Sequence, residues 1–289
     1  MIKNILVPLT GFDNDARALK AAYFIGASFA AKIVCLRVYP NPSQIIAQAA
    51  LSQFGSSMGN VQLIRAIEAE GKNRTIKARQ AFDEFAQWAA SSGAPQANAI
   101  TLAWQEIEGE PVADTIAAAR YSDLIVLARA PKDGQFSVDG LTNILMRCGR
   151  PVLLAPDRPL ETIGAHIAIA WKDTAEAARA VTAAMPLLSH AKRVSVISVT
   201  ESASASGLAS GPATHLAEQL AHHGFATDAR DVALAGRPLL ALVTETAHEF
   251  GADLLVMGAY SHSRFRELVL GGFTRQVLHG CDLPLLLSH

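Results

Sequence analysis

The residues most suited to chemistry lie in one stretch near the end of the chain, MGAYSHSRFRELVLGGFT, residues 257 to 274. Gly258 closes an apolar run, where the absent Cβ would let a ligand come close to the backbone. Gly271 and Gly272 precede a helix-forming segment whose first N–H groups and positive dipole end favour phosphate oxygens. Ser261 and Thr274 offer hydroxyl donors, and His262, Arg264 and Arg266 offer positive charge. The pattern suits a phosphate cradle. The same glycines would serve equally well as turn and cap residues without a ligand.

Such a loop needs a sheet to carry it, and the chain builds that sheet twice. ILVPLTGFDNDARAL (5–19) aligns without a gap to IAIAWKDTAEAARAV (167–181). Further on, Gly109-Glu110-Pro111 meets Gly236-Arg237-Pro238, YSDLIVLA (121–128) meets GADLLVMG (251–258), and CGRPVLLA (148–155) meets CDLPLLLS (281–288). Matches in this order indicate an internal duplication. The turn-rich Pro156-Asp157-Arg158-Pro159 marks the joint, giving repeats over 1–158 and 159–289. Each repeat alternates short apolar runs with Ala-rich helical spacing, which predicts an α/β fold: two tandem doubly wound domains, each with a five-stranded parallel sheet. In the first repeat, strands are expected at 3–9, 32–39, 99–107, 123–128 and 151–156. Helices are expected at 14–30, at 61–90 with a break at Gly71, from Pro111, and at 141–148. In the second, strands are expected at 165–171, 193–199, 226–234, 253–257 and 284–288. Ligands of such sheets sit beyond the carboxyl ends of the strands.

The opening ILVPLTG, the Gly-x-Pro helix starts, the Asp-Leu-Leu-Val-Met-Gly strand and the closing Pro-Leu-Leu-Leu strand resemble the universal stress protein family. The segment 258–278 resembles the phosphate loop of its ATP-binding branch: Gly-x2-Gly, nine residues, then Gly and Ser or Thr. Gly258 and Gly271 match; Ser261 replaces the second glycine, and Gly272 stands where Ser or Thr is usual, with Thr274 two residues on. The resemblance implies a binding module for ATP or another adenine nucleotide, with Mg as a companion ion, in the second repeat. It further implies a cytosolic sensor or regulator of stress. The implied site comprises Met257, Gly258, Ser261, His262, Gly271, Gly272, Phe273 and Thr274 on the phosphate side. On the adenosine side it comprises Ala170, Trp171, Lys172, Asp173, Val199 and Thr200. The family's usual aspartate after strand one is absent: Thr10 and Lys172 occupy its positions, and Asp173 is displaced by one. Trp171 suits either a base-stacking or a core role.

The first repeat departs further. Asp123 to Pro151 is 28 steps against 31 from Asp253 to Pro284, so its loop is shorter. Ala128 replaces the first glycine, and Gly134 and Gly140 do not restore the spacing. This repeat is expected to act as a structural partner. In the family, domains pair through their last strands, so the apolar runs 151–157 and 284–289 are expected to pair within one chain. A homodimer of whole chains is compatible with the sequence.

Composition narrows the alternatives. With 25 basic and 26 acidic residues the net charge is −1, which supplies no field for nucleic acid or an acidic membrane. No apolar run reaches the ~20 residues of a membrane helix. The start has no signal-peptide pattern, and Cys35, Cys148 and Cys281 form no paired spacing, which suits a reducing cytosol. No catalytic base or metal-carboxylate set stands beside the loop, so turnover of ATP is expected to be slow or absent. Neither the Gly-x4-Gly-Lys P-loop nor the early Ser-Gly-Gly loop of adenylate-transferring enzymes occurs. His215, Glu218, His222 and His223 have helical spacing that suits a solvent face or a zinc site, the solvent face being favoured. An interaction scaffold without nucleotide is the alternative reading.

Overall fold

The computed structural model describes residues 1–41, 57–91, 100–129, 138–200, 211–259, 276–277 and 280–289. The chain divides into two compact units. One comprises Lys3–Val126 and Ala130–Cys148; the other comprises Met1–Ile2, Leu127–Arg129 and Gly149–His289. They are termed the N-terminal and C-terminal units.

In the N-terminal unit the chain runs β1 (Asn4–Pro8), α1 (Asp15–Phe29), β2 (Lys32–Tyr39), α2 (Ser57–Ser91), β3 (Thr101–Glu108), α3 (Pro111–Ala119), β4 (Leu124–Ala128) and α4 (Val138–Arg147). β1 pairs in parallel with β2 and β4, and β2 with β3. The inner strands β1 and β4 are almost wholly buried, because a parallel sheet covered on both faces needs apolar residues at every position. The outer β3 is mostly half-exposed or exposed. Asp123 fixes the start of β1: its carboxylate accepts hydrogen bonds from the backbone N–H groups of Lys3 and Asn4.

Helix α2 runs unbroken through Gly71, where the sequence suggested an interruption. Mid-helix glycine costs roughly 1 kcal/mol relative to alanine. The helix is held further along by aromatic contacts: Tyr23 lies 4.9 Å from Trp88, and Phe82 lies 5.4 Å from Trp104, ring centre to ring centre. Burial of these rings outweighs one poor helix former.

The C-terminal unit contains β5 (Val152–Ala155), β6 (His166–Trp171), α5 (Ala175–Leu188), β7 (Arg193–Thr200), α6 (Pro212–Ala221), β8 (Thr227–Ala233), α7 (Leu239–Glu249), β9 (Leu254–Gly258) and β10 (Leu285–Ser288). β6 pairs in parallel with β7 and β9, β7 with β8, and β9 with β10. Asp253 repeats the role of Asp123 with more partners: it accepts from the N–H groups of Gly164, Ala165 and His166 and from the Thr162 hydroxyl.

Strands and helices fall close to the expected ranges, but the expectation of all-parallel sheets is corrected. β5 runs antiparallel to β10, with Leu154 opposite Leu285 and Val152 opposite Leu287. The sheet is therefore mixed, and the last strand of the first repeat lies in the C-terminal unit. The physical reason is that both strands are fully buried and apolar. Left as open edges they would template aggregation, and pairing satisfies their backbone groups. Among the described residues no helix is long and apolar enough to cross a membrane.

All three cysteines are buried. Burial, with the neighbouring Asp15 charge adding to it, pushes the Cys35 thiol up to about 12 from an ordinary 9.0. A thiol raised in the folded state contributes stability that is fully present below the ordinary value and is lost as pH rises through about 12. Thermal melts of the wild type and Cys35→Ala should therefore converge as pH rises above 9.0. A constant gap across that range would contradict the assignment.

Candidate nucleotide site in the second repeat

The carboxyl ends of β6, β7 and β9 meet on one side of the C-terminal unit. Ala170 is the register partner of Met257, and Trp171 that of Ser198, next to Val199 and Thr200. Ala170, Trp171, Val199, Thr200 and Gly258 are each half-buried, Met257 is buried, and Lys172 and Asp173 are exposed. The structure thus places at neighbouring strand ends the residues expected on the adenosine side, together with the first two of the phosphate side. Ser261, His262, Gly271, Gly272, Phe273 and Thr274 lie outside the described residues.

Helix α5 begins at these strand ends. Thr174 caps it, its hydroxyl accepting from the Ala177 N–H at 3.3 Å. A Cβ built on Gly258 would stand 2.4 Å from the Ala177 nitrogen and 2.5 Å from the Glu176 carbonyl carbon. Glycine at 258 therefore has a packing reason that the sequence did not show. Its bare backbone admits the first turn of α5.

That helix start is satisfied from within the chain. Burial raises the Glu176 carboxyl, but its own N–H, the Arg179 guanidinium and the Thr174 hydroxyl outweigh this and hold it below the usual range. Arg179 donates to it at 3.0 Å. A carboxylate already stands at the positive end of α5, so a phosphate has no call on this terminus. The described residues here are an aromatic one at the end of β6, Trp171, and the half-buried ends of β6, β7 and β9. A phosphate would depend on the 258–274 loop.

The equivalent place in the N-terminal unit is filled. Arg37, 1% exposed, takes the register position after Leu36 on β2. Its Nη1 donates to the carbonyls of Leu9 and Thr10, each at 3.3 Å, and its Nε to the Thr75 hydroxyl at 3.2 Å. Asp15, at the start of α1, accepts from the N–H groups of Thr10 and Gly11 and from the Thr10 hydroxyl. Above them Gly11 adopts φ +78°, and a Cβ there would lie 2.2 Å from the Arg74 carbonyl oxygen. The Arg74 guanidinium stacks on Phe12 at 4.0 Å. Side chains of this chain thus pack across the end of β1.

Sequence reasoning missed Arg37, Asp15 and Glu176. Arg37 had a visible signal, being the one charge inside the apolar run IVCLRVY. Asp15 had none, since an acid in a first helical turn ordinarily serves the dipole alone.

These arrangements agree with comparisons to known proteins. Residues 165–289 match the Universal stress protein family. The universal stress protein from Archaeoglobus fulgidus DSM 4304 is similar over 99% of this chain and 95% of its own, with a TM-score of 0.66 at 16% identity. A functionally unknown protein from Pseudomonas aeruginosa PAO1 covers 99% of this chain and 92% of its own, with a TM-score of 0.57 at 16% identity. The chain therefore has the fold of a universal stress protein. No curated protein matches its sequence.

Proposed function

We propose that the chain is a tandem universal stress protein whose second repeat holds an adenine nucleotide, ATP being the expected one with Mg as companion ion, and that it acts as a sensor or regulator in a stress response. The observation that carries this reading is the contrast between the strand ends of the two repeats. Arg37 and Asp15 fill the first from within. In the second, Trp171, Val199, Thr200 and Gly258 are half-buried at the neighbouring ends of β6, β7 and β9, and the 258–274 segment follows β9 in the sequence. Trp171 supplies a ring for the base, and the ends of β6 and β7 supply backbone groups for its edge. Hydrolysis is expected to be slow or absent. The β5–β10 ladder is read as the joint that makes the first repeat a partner of the second.

Calorimetric titration of the whole chain with ATP tests the proposal. Binding in the micromolar to millimolar range is expected, and Gly271→Val should abolish it while leaving the melting temperature near that of the wild type. Absence of heat and of thermal shift at millimolar ATP would reject nucleotide binding. Unchanged affinity in Gly271→Val would move the phosphate site elsewhere.

A further inference from the structure

A cavity lies in the N-terminal unit, remote in sequence from the proposed nucleotide loop. It opens between the carboxyl ends of β2 and β3 and the middle of α2, with a volume of about 590 Å³, within the range of small-molecule sites. Its apolar walls include Tyr39, Ile67 and Ile76. Ile76 is 66% exposed, an unusual place for a large aliphatic side chain on a helix otherwise packed by its aromatic residues.

The charged lining is acidic. Glu106 and Glu108 stand two apart on β3 and so share a face, and Glu68 approaches from α2 against a single ammonium, Lys72. Glu106 is engaged: its carboxylate accepts from the Trp104 indole at 2.8 Å, and it lies in register with Arg37. Glu68 and Glu108 have no ion-pair partner among the described residues.

Gly71 lines the cavity from the middle of α2, and a Cβ there would meet nothing within 4 Å. Packing therefore gives no reason for glycine in the helix, where it costs stability relative to other residues. A larger side chain at this position would take up space that the glycine leaves open to a ligand.

We infer that this cavity binds a small organic cation, an ammonium carried on a flat or aliphatic apolar body, with Glu108 receiving the charge and Ile67, Ile76 and Tyr39 covering the body. The carboxylates select against anions, and the apolar walls favour an organic cation over a metal ion. The site is separate from the proposed nucleotide crevice, and its occupancy does not depend on nucleotide.

Calorimetric titration of the full chain with tryptamine tests this, with indole-3-propionate as the same ring bearing the opposite charge and calcium chloride as a bare cation. Tryptamine is expected to bind in the millimolar range or tighter, and the propionate not at all. Glu108→Gln should weaken tryptamine at least tenfold. Gly71→Leu should abolish binding while keeping or raising the melting temperature, since leucine is the better helix former and fills the space. The inference is overturned if tryptamine fails to bind at millimolar concentration, if the propionate binds equally, or if binding survives Gly71→Leu. Calcium that binds the wild type and displaces tryptamine also overturns it, by assigning an acidic metal site.

Discussion

Arg37→Ala is expected to destabilise the protein by about 1–3 kcal/mol, the range for leaving buried hydrogen-bonding groups without a partner. Arg37 is 1% exposed and Asp15 is 2% exposed. Burial lowers the guanidinium to about 10, and the Asp15 charge offsets part of that fall. Burial raises the Asp15 carboxyl, and the N–H groups of Thr10 and Gly11, the Thr10 hydroxyl and Arg37 draw it back. Alanine at 37 would leave the Leu9 and Thr10 carbonyls without the guanidinium donor and would remove the smallest of the influences that draw Asp15 back. Asp15 would then rise further. A carboxyl raised in the folded state contributes stability below its ordinary value and loses it as pH rises through the folded value. The deficit of Arg37→Ala should therefore be larger at neutral pH than in acid. Arg37→Met, which keeps the stem volume, should recover the packing part alone. Urea unfolding at both pH values measures this, and a neutral-pH deficit below about 1 kcal/mol, an ordinary substitution, would contradict it.

Gly258→Ala is expected to cost about 3 kcal/mol, the upper end for overpacking. The obstructing atoms are the Ala177 nitrogen at 2.4 Å and the Glu176 carbonyl carbon at 2.5 Å, which are backbone and cannot rotate away. Either β9 or the first turn of α5 must shift, disturbing the Thr174 cap. The reciprocal change in the first repeat, Ala128→Gly, should cost under about 1 kcal/mol, the ordinary penalty for glycine. Denaturant unfolding of the two variants provides the comparison. Equal stability of Gly258→Ala and the wild type would show that α5 does not start against β9. Because this change acts on packing, Gly271→Val remains the cleaner test of nucleotide binding.

The sequence by itself determined the order of strands and helices and the matching segments within it. These features are local. A strand buried on both faces of a parallel sheet must be a short apolar run, as in NILVP and LLVMG, and the α/β alternation follows from the spacing between runs. Asp123 and Asp253 were legible as matching positions, though not as clasps on the starts of β1 and β6. The tertiary structure alone decided the rest, because each remaining feature depends on residues far apart in the chain. The antiparallel pairing of β5 with β10 joins residues 152–155 to 285–287, and no periodicity within either strand specifies direction. Arg37 reads as an interruption in β2 until Asp15 and the end of β1 are brought beside it. Gly258 shows no packing reason until α5 is seen against it, and Gly71 reads as a helix break until the aromatic residues further along α2 are seen to anchor the helix. In each case the residue type was visible in the sequence, while the contact that explains it exists only once the chain has folded.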